Sequence, residues 1–312
     1  MPERTLLESA AAGDWEAVLA DLRSLPGKAS RRAVRQREAD GDTTLHYVCR
    51  GAFESEAERA RLARALIAAG ADVDAWSDEI VPPIAAATYA GALPTVRALV
   101  SAGARLDVER RAGVPLLYVI ADSWVRVGQA AQPGSQHCGP GQVCGPDEAD
   151  PRALLIARAF QADLLKLARY LIGAGIDVNA RTERYRQTAL FNAVDHGIQP
   201  LITLLLRTPG IDLDARDHLG LTVLHFAAHT GDVPLTRRLL RAGARPDPVD
   251  RYGFTPLHEA AANGHAAVAR ALLRAGANPR RKLKTDFGAF TRGMTPADVA
   301  RASGHEFVER GA

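Results

Sequence analysis

Between Thr255 and Ala277 the apolar positions recur with helical spacing twice: Leu257, Ala260 and Ala261, then Val268, Leu272 and Leu273. Intervals of three or four residues put each set on one face of a helix. Gly264 and Gly276 follow the two sets, and glycine readily takes the left-handed conformation that ends a helix. The pattern predicts two short helices joined by a tight turn. Thr255 opens the first, with a hydroxyl that can accept from the free amides of the first turn, and Pro256 follows where a missing N–H costs nothing. A single pair of this kind cannot bury both of its faces, so it needs neighbours.

The chain supplies them. The segment DRYGFTPLHEAAANGHAAVARALLRAGANPRR from Asp250 is matched by DHLGLTVLHFAAHTGDVPLTRRLLRAGARPDPV from Asp217, at an offset of 33. A third copy, ERYRQTALFNAVDHGIQPLITLLLRTPGIDLDAR from Glu183, is offset by 34. Looser copies begin near Glu38 (DGDTTLHYVCRG to LIAAGADVDA), at Ser77 (SDEIVPPIAAATYAG to LVSAGARLDV) and near Arg110 (RRAGVPLLYVIADS, resuming at LLKLARYLIGAGIDVNAR). At one end LLESAAAGDWEAVLADLRSL lacks the preceding turn; at the other GMTPADVARASGHEFVERGA stops after one and a half helices.

These residues resemble the ankyrin repeat, whose pattern is a D-x-x-G-x-T-P-L-H turn, two short helices and a closing G-A-x-x-N. The resemblance covers nearly the whole chain, apart from about 126–163 and 282–292. It implies an all-α solenoid of stacked helix-turn-helix units with β-turn or hairpin tips. The expected organisation is one domain over 1–312. An N-cap would span about 5–37, full repeats about 38–76, 77–109, 110–182 (with an insertion at 126–163), 183–216, 217–249 and 250–282, and a C-cap about 291–312. Repeats that touch only their neighbours build a curved, elongated array. Departures are visible too. Arg186 and Ile80 stand where other copies have the turn glycine, and Ala85 and Tyr118 where they have the motif histidine.

Composition fits thin layers. Apolar residues make up 47% of the 312 but aromatics only 5%, so the core must be Ala, Leu, Val and Ile. Lys and Arg number 39 against 36 Asp and Glu, a formal charge of +3, which gives no reason to expect nucleic acid or an anionic membrane as partner. No run approaches the roughly 18 apolar residues of a membrane span, and the acidic opening MPERTLLESAAAGDWEAVL is unlike a signal peptide. Three cysteines make no disulfide framework. A cytoplasmic protein is the expectation.

Candidate chemistry is sparse. His225 and His229 lie one helical turn apart, with His258 one repeat away, and could chelate a metal. However, His46, His225 and His258 occupy the motif position whose ring, by the ankyrin resemblance, ties adjacent turns together, and HFAAH holds no third ligand or general base. The stretch QPGSQHCGPGQVCGPDEADP gathers His137, Cys138, Cys144, Asp147 and Glu148. H-C-x5-C is not an established zinc spacing, which leaves a Gly/Pro-rich loop, a redox or regulatory thiol pair and a metal site as alternatives. Cys49 sits at a core alanine position, where it should be inert. There is no G-x-S-x-G, Walker loop or H-E-x-x-H, and Asp195 with His196 reads as a solvated helix end. The expectation is a non-enzyme with no cofactor, no resident metal and no small-molecule substrate.

What remains is the surface. In the ankyrin architecture turn tips and first helices line a concave groove, so residues there that stacking does not explain are candidates for contact. Toward the C-terminal half these are Arg184, Tyr185, Gln187, Asp195, His196, His218, Leu219, Leu221, His229, Arg251, Tyr252 and Phe254. Nearer the N-terminus they are Asp40, Asp42, Asp78, Glu79, Val81 and Tyr89. Tyr, Arg and Phe are hot-spot types, and the groove is expected to be acidic at one end and aromatic and basic at the other. The expected function is an adaptor or regulator binding a partner protein. An inhibitor or immunity protein for a cognate toxin or effector enzyme, or a metal- or redox-responsive protein using the 137–148 loop, are the alternatives.

Overall fold

The computed structural model describes residues 5–24, 27–77, 81–130 and 151–307. The chain divides into two compact units, Met1–Asp177 and Val178–Ala312. Among the described residues both are helical, and β-structure is confined to isolated bridges such as Arg181 with Thr188 and Phe287 with Phe290.

The first unit runs α1 (Leu6–Ala11), α2 (Trp15–Ser24), α3 (Gly27–Val34), α4 (Thr44–Arg50), α5 (Glu56–Ala68), α6 (Pro83–Tyr89), α7 (Leu93–Ser101), α8 (Glu109–Ala112), α9 (Leu116–Ala130) and α10 (Pro151–Gly173). First helices stack on first helices, α4 on α6 and α6 on α9, and second on second, α5 on α7 and α7 on α10. The helices α9 and α10 also pack on each other and run from both sides into the expected insertion. Residues 126–130 and 151–163 thus prolong the two helices of a repeat. The His137, Cys138, Cys144, Asp147 and Glu148 cluster lies outside the described residues.

The second unit comprises α11 (Ala189–Asp195), α12 (Gln199–Leu206), α13 (Val223–His229), α14 (Val233–Arg241), α15 (Pro256–Ala262), α16 (Ala266–Arg274) and α17 (Pro296–Ala302). Here α11, α13, α15 and α17 pack in succession, and α14 packs on α16. Leu257, Ala260, Ala261, Val268, Leu272 and Leu273 are all buried. The small Ala227, Ala228, Ala260 and Ala261 let first helices approach closely, so the core forms without large rings.

Three first helices, α4, α13 and α15, are opened by the same cap. Thr222 and Thr255 donate N–H to the Nδ1 of His225 and His258, at 3.1 and 3.2 Å, and Thr43 does the same to His46 at 3.1 Å. Because Nδ1 accepts, the proton sits on Nε2, which donates across to the next repeat: His46 to the Val81 carbonyl at 3.1 Å and His225 to that of Phe254 at 3.3 Å. The Nε2 of His258 looks toward the backbone of Met294 and Arg281 without closing a full hydrogen bond. Burial presses His225 and His258 down to about 4. A buried ring with both nitrogens committed cannot ligate a metal, so His225 is a strut.

Candidate functional site

The turns of the second unit are built alike. A residue with positive φ closes each one: Gly220 at 84°, Gly253 at 94° and, in the first copy, Arg186 at 55°. Asp217 Oδ1 accepts from the amides of Leu219 and Leu221, and Asp250 Oδ1 from those of Tyr252 and Phe254. Main-chain bonds join successive tips: His218 N–H to Tyr185 O at 2.9 Å, Arg251 N–H to Leu219 O and Lys284 N–H to Tyr252 O at 3.0 Å, the last with Thr285 N–H beside it at 3.4 Å. The tips are thereby held in fixed register.

On this ladder stand the exposed side chains. Tyr185 is 42% exposed, with the Arg184 guanidinium 5.1 Å over its ring and His218 edge-on at 5.4 Å. Arg251 lies 4.7 Å over Tyr252 and donates to its hydroxyl, and Tyr252 packs against Phe287 at 4.6 Å. The expectation placed Arg184, Tyr185, His218, Arg251 and Tyr252 at the tips, and the structure puts them side by side there. Phe287, 48% exposed, extends the row; it lies in the 282–292 stretch that the repeat pattern does not cover, so the sequence did not mark it. His196 is the exposed C-cap of α11, following the exposed Asp195. His229, near the end of α13, meets Glu259 at 3.1 Å. Both belong to the first helices rather than the tips.

One register position was misread. Asp42, Val81, Gln187, Leu221 and Phe254 all fall between the turn residue and the capping position of a repeat, and none is exposed. The backbone there must turn back to present its carbonyl to the preceding histidine ring, as at Val81 and Phe254, and the side chain follows it inward. Phe254 is 4% exposed and buried against Leu283 and Val299, with Phe287 and Phe290 edge-on at 5.8 and 5.7 Å. It is a core residue and not a tip. Asp42 is 1% exposed and ion-paired to Arg50. It is therefore no acidic contact surface. Asp40 is exposed and accepts the Asp42 amide at 3.0 Å; Asp78 and Glu79 lie outside the described residues.

The first unit carries a groove that sequence reasoning missed. Its cavity of about 770 Å³ lies across α4, α6 and α9, with Ala85, Ala86 and Ala90 lining it on α6. Arg50 and His46 line it from α4, and Tyr118, Asp122 and Arg126 from α9. Tyr89, 42% exposed, lies beneath Arg126 at 4.7 Å, and Arg126 pairs with Asp122 at 2.8 Å. The hollow exists because Ala85 occupies the histidine position of its repeat, so no ring fills the space between His46 and Tyr118. That departure was legible; its consequence needed the stack. Cys49 is fully buried and its thiol is pushed up to about 12 by desolvation, which leaves it unreactive at neutral pH. Among the described residues no three His, Cys, Asp or Glu side chains converge as metal ligands would, and no helix is long and apolar enough to cross a membrane.

A family model described as ankyrin repeats (3 copies) matches residues 201–282. The nuclear factor NF-kappa-B p105 subunit of Gallus gallus is 40% identical over 85 residues, 27% of this chain and 9% of that protein. Alpha-latrotoxin-Lg1a of Latrodectus geometricus is 34% identical over 77 residues, 25% of this chain and 6% of that protein. The chain therefore spans less than a tenth of either relative. These matches show ankyrin repeats within 201–282, and the helix pairs and turns above are those of an all-α repeat fold. Ankyrin repeats mediate protein–protein contact, typically without catalysis.

Proposed function

We propose that this chain is a non-catalytic adaptor or regulator that holds a partner protein on the first helices and turn tips of its repeats. The observation that carries this reading is the groove across α4, α6 and α9. A cavity of about 770 Å³ with an alanine floor and a rim of Tyr89, Tyr118 and Arg126 has the aromatic and arginine composition of interaction hot spots. Ser77 and His46 both line it, but the ring nitrogens of His46 are committed to the Thr43 amide and the Val81 carbonyl, which leaves no free base for the hydroxyl.

The test places a photo-crosslinking residue at position 89 of the full chain and compares the captured protein with that held by Ala86→Trp, which fills the floor. Loss of one discrete partner in the filled variant, with far-UV circular dichroism unchanged, supports the proposal. Equal capture by both overturns it. Adding the chain to its captured partner then separates the two forms of the reading: an enzyme that loses activity at one equivalent has met an inhibitor, whereas unchanged activity marks an adaptor.

A further inference from the structure

Two residues before the turn-closing residue, the second unit carries a basic side chain in three successive tips, Arg184, His218 and Arg251, and the next tip places Lys284 in the same register. All four are exposed. The main-chain ladder from Tyr185 to Lys284 ties these tips one to the next, so the stations stand one helix-packing distance apart, about 10 Å.

Two of the acids in these turns do not face outward: Asp217 and Asp250 are buried, their Oδ1 atoms consumed by backbone amides, and Asp217 Oδ2 lies 3.7 Å from His218 Nδ1. Of the exposed acids nearby, Glu183 precedes the row and Asp286 follows it, and Asp286 Oδ1 is taken by the Arg292 amide at 2.6 Å. Arg184 and Arg251 are steadied over Tyr185 and Tyr252. A guanidinium resting on a ring keeps its N–H edges for an acceptor and loses little freedom on binding.

We propose that this row docks an extended, acidic segment of a protein partner, with a carboxylate at about every third residue. An extended segment in the polyproline II conformation advances about 3.1 Å per residue and returns to the same face every three residues, so three residues span the distance between stations and every third side chain meets one. Carboxylates suit the row better than nucleic acid does, because Arg184 and Arg251 already cover faces of the tyrosines that bases would need for stacking. The inference rests on the reading of this chain as a protein binder and adds the chemistry of what the tips hold.

The test uses the full chain and two labelled peptides of about twelve residues, enough for four stations. One has glutamate at every third position; the other has the same composition with the glutamates contiguous. Fluorescence anisotropy should show the spaced peptide binding about tenfold tighter and weakening about tenfold as ionic strength rises from about 0.05 to about 0.2 M. Arg184→Ala, Arg251→Ala and Lys284→Ala should each cost about fivefold, and the triple variant should lose binding with its urea midpoint unchanged.

Equal affinity for the two peptides, or indifference to the substitutions, overturns the row as a docking site. So does single-stranded RNA that binds the same residues more tightly than the spaced peptide. A partner captured by crosslinking at position 89 but held equally by the triple variant overturns the row while leaving the protein-binding reading intact; a chain that captures no protein overturns that reading first.

Discussion

Replacing Phe254 by alanine separates a core residue from a tip residue. The ring is 4% exposed and packs on Leu283 and Val299, with Phe287, Phe290 and His258 within 5.8 Å. Burying a phenylalanine side chain contributes about 1.5–3 kcal/mol by transfer alone, and the cavity left behind raises the usual cost of Phe→Ala to about 3–5 kcal/mol. Half-exposed Phe287 and partly buried Phe290 can sink into the space, so the lower end, about 3 kcal/mol, is expected. With a urea slope of about 2 kcal/mol/M, the midpoint falls by roughly 1.5 M. Phe254→Leu should lose less than half of that. Tyr185→Ala, removing a ring of similar size from an exposed tip, should stay within about 0.5 kcal/mol. Urea unfolding followed by far-UV circular dichroism gives all three values. A Phe254→Ala midpoint no lower than that of Tyr185→Ala would refute the burial argument.

Three more outcomes follow from the same geometry. Arg186→Gly should stabilise by about 0.5–1 kcal/mol, since it removes a left-handed strain of about 1–2 kcal/mol at the cost of some added chain freedom; a lower melting temperature would contradict this. Gly253→Ala should cost about 1–2 kcal/mol more than Gly276→Ala. Both have positive φ, but the new Cβ at 253 meets the Lys284 nitrogen at 2.6 Å, while nothing lies within 4 Å at 276; equal melting temperatures would count against the tip ladder. The buried neutral rings of His225 and His258 are held near 4, below the unfolded value of 6.5. Their contribution is complete above pH 6.5 and is lost as pH falls toward 4, because the unfolded chain binds the proton first, on the order of 3 kcal/mol per ring. The urea midpoint should drop across that window, and imidazole NMR shifts should show both rings neutral at about pH 5.5.

Much of the fold could be read from the chain because each signal has a local cause. Thr222, Thr255 and Thr295 cap helices, Pro256 fits a first turn, and Gly220 and Gly253 supply positive φ, so the repeats announced themselves. Phe254 was misread because its burial is not local. The Leu283 amide bonds the Met294 carbonyl at 2.9 Å, closing a loop that brings Phe287 and Phe290 over it. Asp42 looked like a surface acid until Arg50, two helical turns on, neutralised it. The groove beneath Tyr89 is a property of three stacked helices and of a ring absent at Ala85, which no single repeat displays. The tip row fared better, since exposure there follows from the turn itself.

The central claim, that a protein is held on the tips and first helices, is tested most directly by hydrogen exchange of the chain with and without its captured partner. Slowed exchange should concentrate in the amides of 184–187, 218–221, 251–254 and 284–287 and beside the groove in α4, α6 and α9. Protection confined to the second helices α5, α7, α12, α14 and α16 would contradict it.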